Sequence, residues 1–215
     1  GPRGGRVPGA ASRRQAELSG DLPHACHAHR VLEIPQTPQT VLFDLETLRG
    51  ASEVGGWNHC HRMGVAVGVI CHLEEGRFEV FPESRVGELV AALEAATLVV
   101  GFNIKRFDYG VLAGYTGVDY ARCLPTLDLL EELHARLGFR VGMGHLAKET
   151  LGVGKSADGL QSLEWVRQGR LDLVEQYCHR DVEVLRDLYL YGRRLGHLLY
   201  RDKKRDVRLQ VRVDW

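Results

Sequence analysis

Short apolar runs divided by polar turns dominate the chain from residue 41 to residue 102. The run that contains Val65, Val67 and Val69 is mostly apolar, which is typical of a strand buried on both faces. The turn at Glu75-Gly76 predicts a hairpin with the run that follows. The predicted strands cover residues 41–47, 63–73, 77–81 and 97–102, with a loop over residues 49–62.

Apolar residues recur at helical spacing through most of the second half. A helix is predicted to open at Ser84, with Leu89, Val90 and Leu93 as its apolar stripe. Further helices are predicted over residues 106–113, 128–137, 143–151, 160–167 and 171–199, and residues 207–213 alternate as a strand. Because strands come first, then alternate with helices, we predict an α/β domain with a mixed β-sheet flanked by helices.

The first 38 residues have a different character. They are rich in Gly, Pro, Arg and Ala and show no periodicity. Such a composition does not bury enough apolar surface to offset the entropy of ordering. We therefore expect residues 1–38 to be a flexible N-terminal lead, followed by a single domain over residues 39–215.

Composition narrows the class of protein. Hydrophobic residues make up 44% of the chain and charged residues 26%, as in an ordinary globular protein. No apolar run approaches a transmembrane span and no signal-peptide pattern is present, so we expect no membrane contact. The five cysteines are an odd number without a CxxC pair, which predicts free thiols and a cytoplasmic location.

The net charge is zero but is spread unevenly. Residues 1–30 carry five Arg against two acidic residues, and residues 192–215 carry eight Lys or Arg against three Asp. The segment between them has 15 basic and 23 acidic residues, a charge of −8. Basic ends around an acidic centre suit phosphate contacts beside a metal site, and they equally suit a plain solvated surface.

The first strand carries the clearest candidate chemistry. Asp44 and Glu46 alternate with Phe43 and Leu45, so the two carboxylates share one face of the strand. Adjacent carboxylates repel each other and are costly to bury unpaired. The pair therefore indicates a divalent cation with oxygen ligands, or else an exposed strand end.

Three further stretches carry carboxylates in defined local structure. Asp108 follows a buried strand near a helix start. Tyr177 and Asp181 are four residues apart and share a face of the last helix, which should point inward. An inward Asp needs a partner or a metal ion. Asp128 stands at a helix start, where capping explains it better than metal binding.

In this order the motifs Asp44-x-Glu46, Asn103-x-x-x-Phe107-Asp108 and Tyr177-x-x-x-Asp181 resemble those of the DEDD exonuclease superfamily, tyrosine-bearing branch, whose members have a ribonuclease H-like fold. The resemblance covers roughly residues 40–192 and extends to family B polymerase proofreading domains and YprB-type proteins. The histidine-bearing branch places His five residues before the last Asp, and here that position is Gln176.

The resemblance implies a metal-dependent 3′–5′ exonuclease with two Mg²⁺ or Mn²⁺ ions held by Asp44, Glu46, Asp108 and Asp181. Two ions about 3.5–4 Å apart can activate a water molecule and stabilise the leaving oxygen. Asp44 would bridge the ions, Glu46 and Asp181 would hold the one that binds the water, and Asp108 would hold the second. Tyr177 rather than His179 would contact the attacking water.

Substrate contacts are expected from Thr47, Trp57, Asn103 and Lys105. Trp57 either stacks on a base or packs against the domain, and Lys105 either touches a phosphate or is solvated. The expected partner is single-stranded DNA or RNA, with a helicase or another nucleic-acid-processing protein as a possible second partner. Two alternatives are a non-catalytic nucleic-acid-binding module of the same fold and an endonuclease.

Overall fold

A computed structural model describes residues 38–154, 159–202 and 204–215. The predicted N-terminal lead lies outside these ranges, apart from its last residue. The strands are β1 (Thr40–Thr47), β2 (Val65–His72), β3 (Arg77–Pro82), β4 (Leu98–Gly101), β5 (Thr126–Asp128), β6 (His197–Asp202) and β7 (Val207–Arg212). The α-helices are α1 (Ala51–Val54), α2 (Val86–Ala95), α3 (Asp108–Thr116), α4 (Tyr120–Cys123), α5 (Leu129–Leu137), α6 (Met143–Leu151), α7 (Gly159–Arg167) and α8 (Leu171–Leu195), and two 3₁₀ helices span Trp57–Arg62 and Glu83–Arg85.

The central sheet has the strand order β3-β2-β1-β4-β5. Strand β1 is antiparallel to β2 and parallel to β4, and β5 continues the parallel part. The hairpin β2–β3 needs only a tight turn, whereas the parallel strands β1, β4 and β5 need helical crossovers. The predicted mixed sheet is therefore present, with β1 at its centre.

Helices cover both faces of the sheet. On one face, Phe43 and Leu45 pack in a cluster with Leu89 of α2 and Leu112 of α3. On the other face, Leu42 packs with Val69, Cys71 and, from α8, Cys178, Val182 and Leu185. The side-chain alternation of β1 therefore sends Asp44 and Glu46 to the α8 side, as the sequence predicts.

The C-terminal hairpin β6–β7 has a separate, smaller core. Leu198 and Val211 of the hairpin pack against Leu146 of α6 and Leu188 of α8. Glu149 of α6, which is buried, pairs with Arg201 at 3.3 Å and Arg208 at 3.1 Å. The hairpin is thus held to the domain by both apolar contacts and an ion-pair network.

Some sequence predictions are wrong in their details. Residues 49–62 are not a loop: they contain α1 and the 3₁₀ helix Trp57–Arg62. The last long helix ends at Leu195 rather than residue 199, because Gly196 adopts φ 70° and the chain turns into β6. The short elements α4 and β5 were missed, since three or four residues carry too little periodicity to be recognised.

The cysteines are only partly as expected. Cys60, Cys71 and Cys178 are free and buried, but Cys123 is disulfide-bonded, so the expectation of free thiols is wrong for that residue.

Among the helices of the described ranges, none has both the length and the apolar character of a membrane span.

Helix α3 approaches the 3₁₀ helix Trp57–Arg62 closely through two glycines. A Cβ on Gly110 would lie 2.4 Å from Sγ of Cys60, and a Cβ on Gly114 would lie 2.0 Å from the backbone oxygen of His61. The second contact is with backbone, so it cannot be relieved by a side-chain rotation. These glycines set the position of the helix that begins with Asp108.

We expect Gly114→Ala to lower the free energy of unfolding by about 1–3 kcal/mol, because the added methyl forces the two helices apart. Gly87→Ala is the matched control, since it also lies in a helix and its Cβ would meet nothing within 4 Å. That variant should be neutral or up to about 1 kcal/mol more stable through helix propensity. Urea unfolding of both variants measures the difference, and equal stabilities would contradict the close packing.

Candidate active site

The first two candidate ligands lie near the end of β1. Asp44 pairs in register with Val69 of β2, and Glu46 with Val67. The register shifts between Glu46 and Thr47, which pairs with Val65. The extra residue is Ala66 of β2, so the irregularity lies beside the end of β1, and the alternation along β1 sets the side-chain directions. Both carboxylates are therefore on the α8 face at the end of the central strand.

Helix α8 brings the third carboxylate to the same point. One carboxylate oxygen each from Asp44, Glu46 and Asp181 lie within 4.8 Å of one another. The thiol of Cys178, one turn before Asp181, lies 3.5 Å from the backbone oxygen of Asp44 and donates to it. This contact and the apolar packing of Val182 and Leu185 seat the helix on the strand.

Asp108 approaches from the opposite side of the sheet, at the first position of α3. Only 2% of it is exposed. Its Oδ1 accepts a hydrogen bond of 3.1 Å from the backbone N–H of Leu45, the residue between Asp44 and Glu46. The bond links motifs 63 residues apart in the chain. It also partly satisfies a carboxylate whose burial would otherwise be costly.

Burial raises the pKa values of Asp44, Glu46 and Asp108, and the charges of neighbouring carboxylates raise them further. Burial, followed by the charges of Asp108, Asp181 and Glu46, holds the pKa of Asp44 well above its usual range. Burial also raises the pKa of Glu46 to about 8 and that of Asp108 to about 7. Several acidic groups in a partly buried, all-oxygen site are the environment that a hard divalent cation neutralises, so these residues fit such a cation.

Tyr177 lies beside this group, and His179 does not. The Tyr177 hydroxyl is hydrogen-bonded to Asp181, and burial followed by the charge of Asp181 raises its pKa strongly. Its ring meets Trp165 of α7 edge-on, at a centroid distance of 6.2 Å. The His179 ring instead stacks on Phe78 of β3 at 4.3 Å and lies 3.7 Å from Glu183. The predicted separation of Tyr177 and His179 on the helix is therefore present.

The structure brings together two of the four predicted substrate residues. Trp57 and Asn103 line a cavity of about 270 Å³, together with Arg106, Phe107 and Arg140. Lys105 forms an ion pair with Glu131 instead. Thr47 is buried, and its hydroxyl donates to the backbone oxygen of Arg49 at 3.0 Å. Neither Lys105 nor Thr47 lines this cavity.

Asp128 caps α5 as predicted, and it has a second role that the sequence did not reveal. Its carboxylate accepts from the backbone N–H groups of Leu130 and Glu131, which is the cap. It also accepts from the backbone N–H groups of Asn103 at 2.8 Å and Lys105 at 3.1 Å. Asn103 has φ 69°, a conformation that Asn tolerates better than most residues. The capping carboxylate thus fixes the loop that leads to Asp108.

Two other residues near the site were not identified from the sequence. Ser162 of α7 is fully buried beside Glu46, and its hydroxyl favours the ionised form of that carboxylate although no hydrogen bond of normal geometry forms. Arg140 lies in the turn between α5 and α6, and it donates to Oδ1 of Asn103 at 2.8 Å. A single Ser or Arg without a motif gives no local signal, so only the folded chain reveals these positions.

Comparison with known proteins identifies the fold. The family B DNA polymerase of the archaeon Pyrobaculum calidifontis superposes with a TM-score of 0.50 at 18% identity, over 74% of this chain and 24% of the polymerase chain. The chain thus spans about a quarter of the polymerase that it matches. The predicted fold class, a ribonuclease H-like mixed sheet flanked by helices, is confirmed.

More distant likenesses have TM-scores below 0.5. Exonuclease I of E. coli, in complex with a dA16 oligonucleotide, gives 0.41 at 16% identity, over 74% of this chain and 44% of that one. NrnC of Brucella melitensis, with bound Mg²⁺, gives 0.39 at 20% identity, over 74% of this chain and 89% of that one. No family profile matches the sequence, and no curated protein matches it.

Proposed function

We propose that this chain is a metal-dependent 3′–5′ exonuclease of the DEDD superfamily, tyrosine-bearing branch. The observation that carries the proposal is the convergence of three sequence motifs on one partly buried site. Asp44, Glu46 and Asp181 offer oxygens within 4.8 Å of one another, and Asp108 contacts the strand between the first two. A purely structural role would not explain one buried and three half-buried acidic groups held against each other at a cost in free energy.

The proposed ligands are Asp44, Glu46, Asp108 and Asp181, for two Mg²⁺ or Mn²⁺ ions. Bound there, the ions would supply an activated water molecule and charge stabilisation for the departing sugar oxygen. The chain's own contribution is positioning. Strand β1 and helix α8 fix three carboxylates through the Cys178–Asp44 contact, and the Leu45–Asp108 hydrogen bond fixes the fourth.

Tyr177 is proposed to orient the attacking water. Its hydroxyl lies against Asp181 and its pKa is raised, so it stays protonated and can donate a hydrogen bond at neutral pH. Trp165 holds the ring from the side. The substrate is proposed to be single-stranded DNA or RNA, and a helicase or a similar partner that delivers the strand stays a prediction.

The activity is tested with a single strand labelled at its 5′ end, in Mg²⁺ and in Mn²⁺. A 3′–5′ exonuclease yields a descending ladder of labelled products that shortens by one nucleotide at a time. Internal cuts from the first time point would indicate an endonuclease. Retention of the strand on the protein without cleavage would indicate a binding module, and both of these results would overturn the proposal.

Asp44→Asn and Asp181→Asn should each lower turnover by at least about 100-fold, because each removes a charged group that stabilises the reacting centre. The metal-free variants should melt at or above the wild-type temperature, since one repulsive charge is gone. Asp187→Asn is the control: it is on the same helix but pairs with Arg186 at 2.8 Å. Unchanged cleavage by Asp44→Asn and Asp181→Asn would contradict the metal-site assignment.

The stability of the metal-free protein should fall as pH rises from about 4.5 to about 8. In the unfolded chain the pKa of Glu46 is 4.5, whereas burial raises it to about 8 in the folded state. The folded state therefore binds more protons in this window, and each unit of pKa difference is worth about 1.4 kcal/mol.

The pH effect is measured by thermal melts in a chelator. Glu46→Gln should make the dependence less steep, because the neutral amide does not titrate, and Asp44 and Asp108, whose pKa values are also raised, account for the remainder. At about pH 8, Mg²⁺ or Mn²⁺ should raise the wild-type midpoint, since the ions bind only the folded site. An equal rise in Asp44→Asn would mean that the ions bind elsewhere.

Tyr177→Phe should lower turnover by about 10- to 1,000-fold, because it removes the hydroxyl that positions the water and keeps the ring packing. The cation-induced rise in melting temperature should change little. His179→Ala should keep near wild-type turnover, since its ring stacks on Phe78 away from the carboxylates. Loss of turnover in His179→Ala, with normal turnover in Tyr177→Phe, would overturn the assigned roles.

A further inference from the structure

The cavity beside Asp108 is lined by aromatic rings that are left exposed. The ring of Trp57, which is 67% exposed, meets Phe107 edge-on at 5.8 Å. Phe107 immediately precedes Asp108, so the loop that carries one ring of this pair leads directly into a candidate metal ligand. An exposed Trp on a short, well-packed 3₁₀ helix offers a flat apolar face at little cost in side-chain entropy, which is how proteins bind unpaired bases.

Two arginines with unneutralised charge face the same cavity. Within the part of the chain that the structure describes, Arg106 and Arg140 form no ion pair, unlike Arg85 or Arg201. Arg140 is held by its hydrogen bond to the neutral side chain of Asn103. A guanidinium that is positioned but not neutralised suits a phosphate, since its fork can donate two hydrogen bonds.

A second aromatic pair begins one residue away from Arg140. Phe139 is 49% exposed, and its ring meets Tyr200 of β6 edge-on at 5.9 Å. The chain segment that carries Tyr200, residues 192–215, has eight Lys or Arg against three Asp. Arg201, Arg205 and Arg208 are in ion pairs, whereas Lys204 and Arg212 form none with the described residues. Arg140 therefore lies between an aromatic pair near the carboxylates and an aromatic pair on a basic hairpin.

We propose that these groups form a track for single-stranded nucleic acid that runs from the metal site onto the C-terminal hairpin. Trp57 and Phe107 contact a base near the 3′ end, Arg106 and Arg140 contact phosphates, and Phe139 with Tyr200 contacts a base further upstream. The track rests on the proposed function, and it adds a prediction: strands long enough to reach the hairpin bind more tightly than a dinucleotide.

A competing explanation is that Phe139 and Tyr200 only attach the hairpin to the turn before α6. The buried ion pairs of Glu149 and the apolar contacts of Leu198 and Val211 already provide that attachment. Half of the Phe139 surface also remains open to solvent. If Phe139 and Tyr200 had only a structural role, their replacement would change the stability of the protein. It would not change the difference in binding between a long and a short nucleic-acid strand.

The decisive variant is Phe139→Leu, which keeps apolar bulk at the turn but removes the aromatic face. We expect its KM for a 12-nucleotide strand to rise about tenfold, with kcat unchanged and with no change for a dinucleotide. Leu171→Ala is the matched control, since it removes an exposed apolar side chain at the start of α8. Thermal melts establish that both variants are folded.

Arg140 and Trp57 are tested by binding rather than turnover, in the Asp44→Asn background with Ca²⁺. Arg140→Ala should weaken binding of the 12-nucleotide strand. It should also make the slope of log binding constant against log salt concentration shallower by about the amount expected for one phosphate contact. Binding should quench tryptophan fluorescence, and Trp57→Phe should remove most of the quenching although Trp165 and Trp215 remain. Arg122→Ala, on the exposed helix α4, is the charge control.

The outcomes separate the track from the exonuclease proposal. Absence of cleavage with length-dependent binding that Phe139→Leu weakens would overturn the exonuclease activity and support the track. Cleavage with equal KM values for wild type and Phe139→Leu on the 12-nucleotide strand would overturn the track and leave the exonuclease intact. A loss for both strand lengths in a folded Phe139→Leu would also overturn the track, because the pair would then act at the terminus.

Discussion

Electrostatic repulsion among one buried and three half-buried carboxylates is the constraint on which the arrangement of this protein depends. Asp44, Glu46, Asp108 and Asp181 are brought to one end of the central strand, where burial and mutual repulsion raise the pKa values of Asp44 and Glu46. Repulsion of this kind opposes folding, so packing elsewhere must hold the groups in place. The apolar clusters on the two faces of the sheet provide that packing, and a divalent cation would remove the repulsion.

Helix α8 links the stability of the domain to its proposed chemistry. Its apolar side packs on the sheet through Val182 and Leu185, and Leu188 extends the contact to the C-terminal hairpin. The same face presents Tyr177 and Asp181 to β1, because residues four apart lie above one another on a helix. The ring of His179 projects toward β3 instead. One helix therefore sets the third candidate metal ligand, the tyrosine and the position of the hairpin.

Asp128 connects the site to the cavity beside it. A single carboxylate accepts from two N–H groups at the start of α5 and from two in the loop after β4. Buried hydrogen bonds of this kind position groups at a modest net gain in stability, and losing the acceptor would leave several donors unsatisfied. The loop it holds carries Asn103 and Phe107, and it ends at Asp108. The aromatic and cationic groups of the cavity are thereby fixed relative to the candidate metal ligands.

The features that the sequence predicted by itself depend on periodicity and capping among residues that are close together in the chain. The alternation along β1 predicts that Asp44 and Glu46 share a face, and the four-residue spacing predicts the same for Tyr177 and Asp181, because strand and helix periodicities depend only on neighbouring residues. The order of buried strands and periodic helices was also enough for the mixed α/β sheet. The helix start at Asp128 followed from capping chemistry.

The family resemblance implied that Asp44, Glu46, Asp108 and Asp181 meet, but only the tertiary structure decided the contacts through which distant groups do so. The hydrogen bond from Leu45 to Asp108 spans 63 residues, and the pairing of Lys105 with Glu131 spans 26. The positions of Ser162 beside Glu46 and of Arg140 beside Asn103 carry no local pattern. Residues 197–202 form a strand only because residues 207–212 pair with them. These contacts depend on how the chain returns to the same point in space, which local periodicity does not specify.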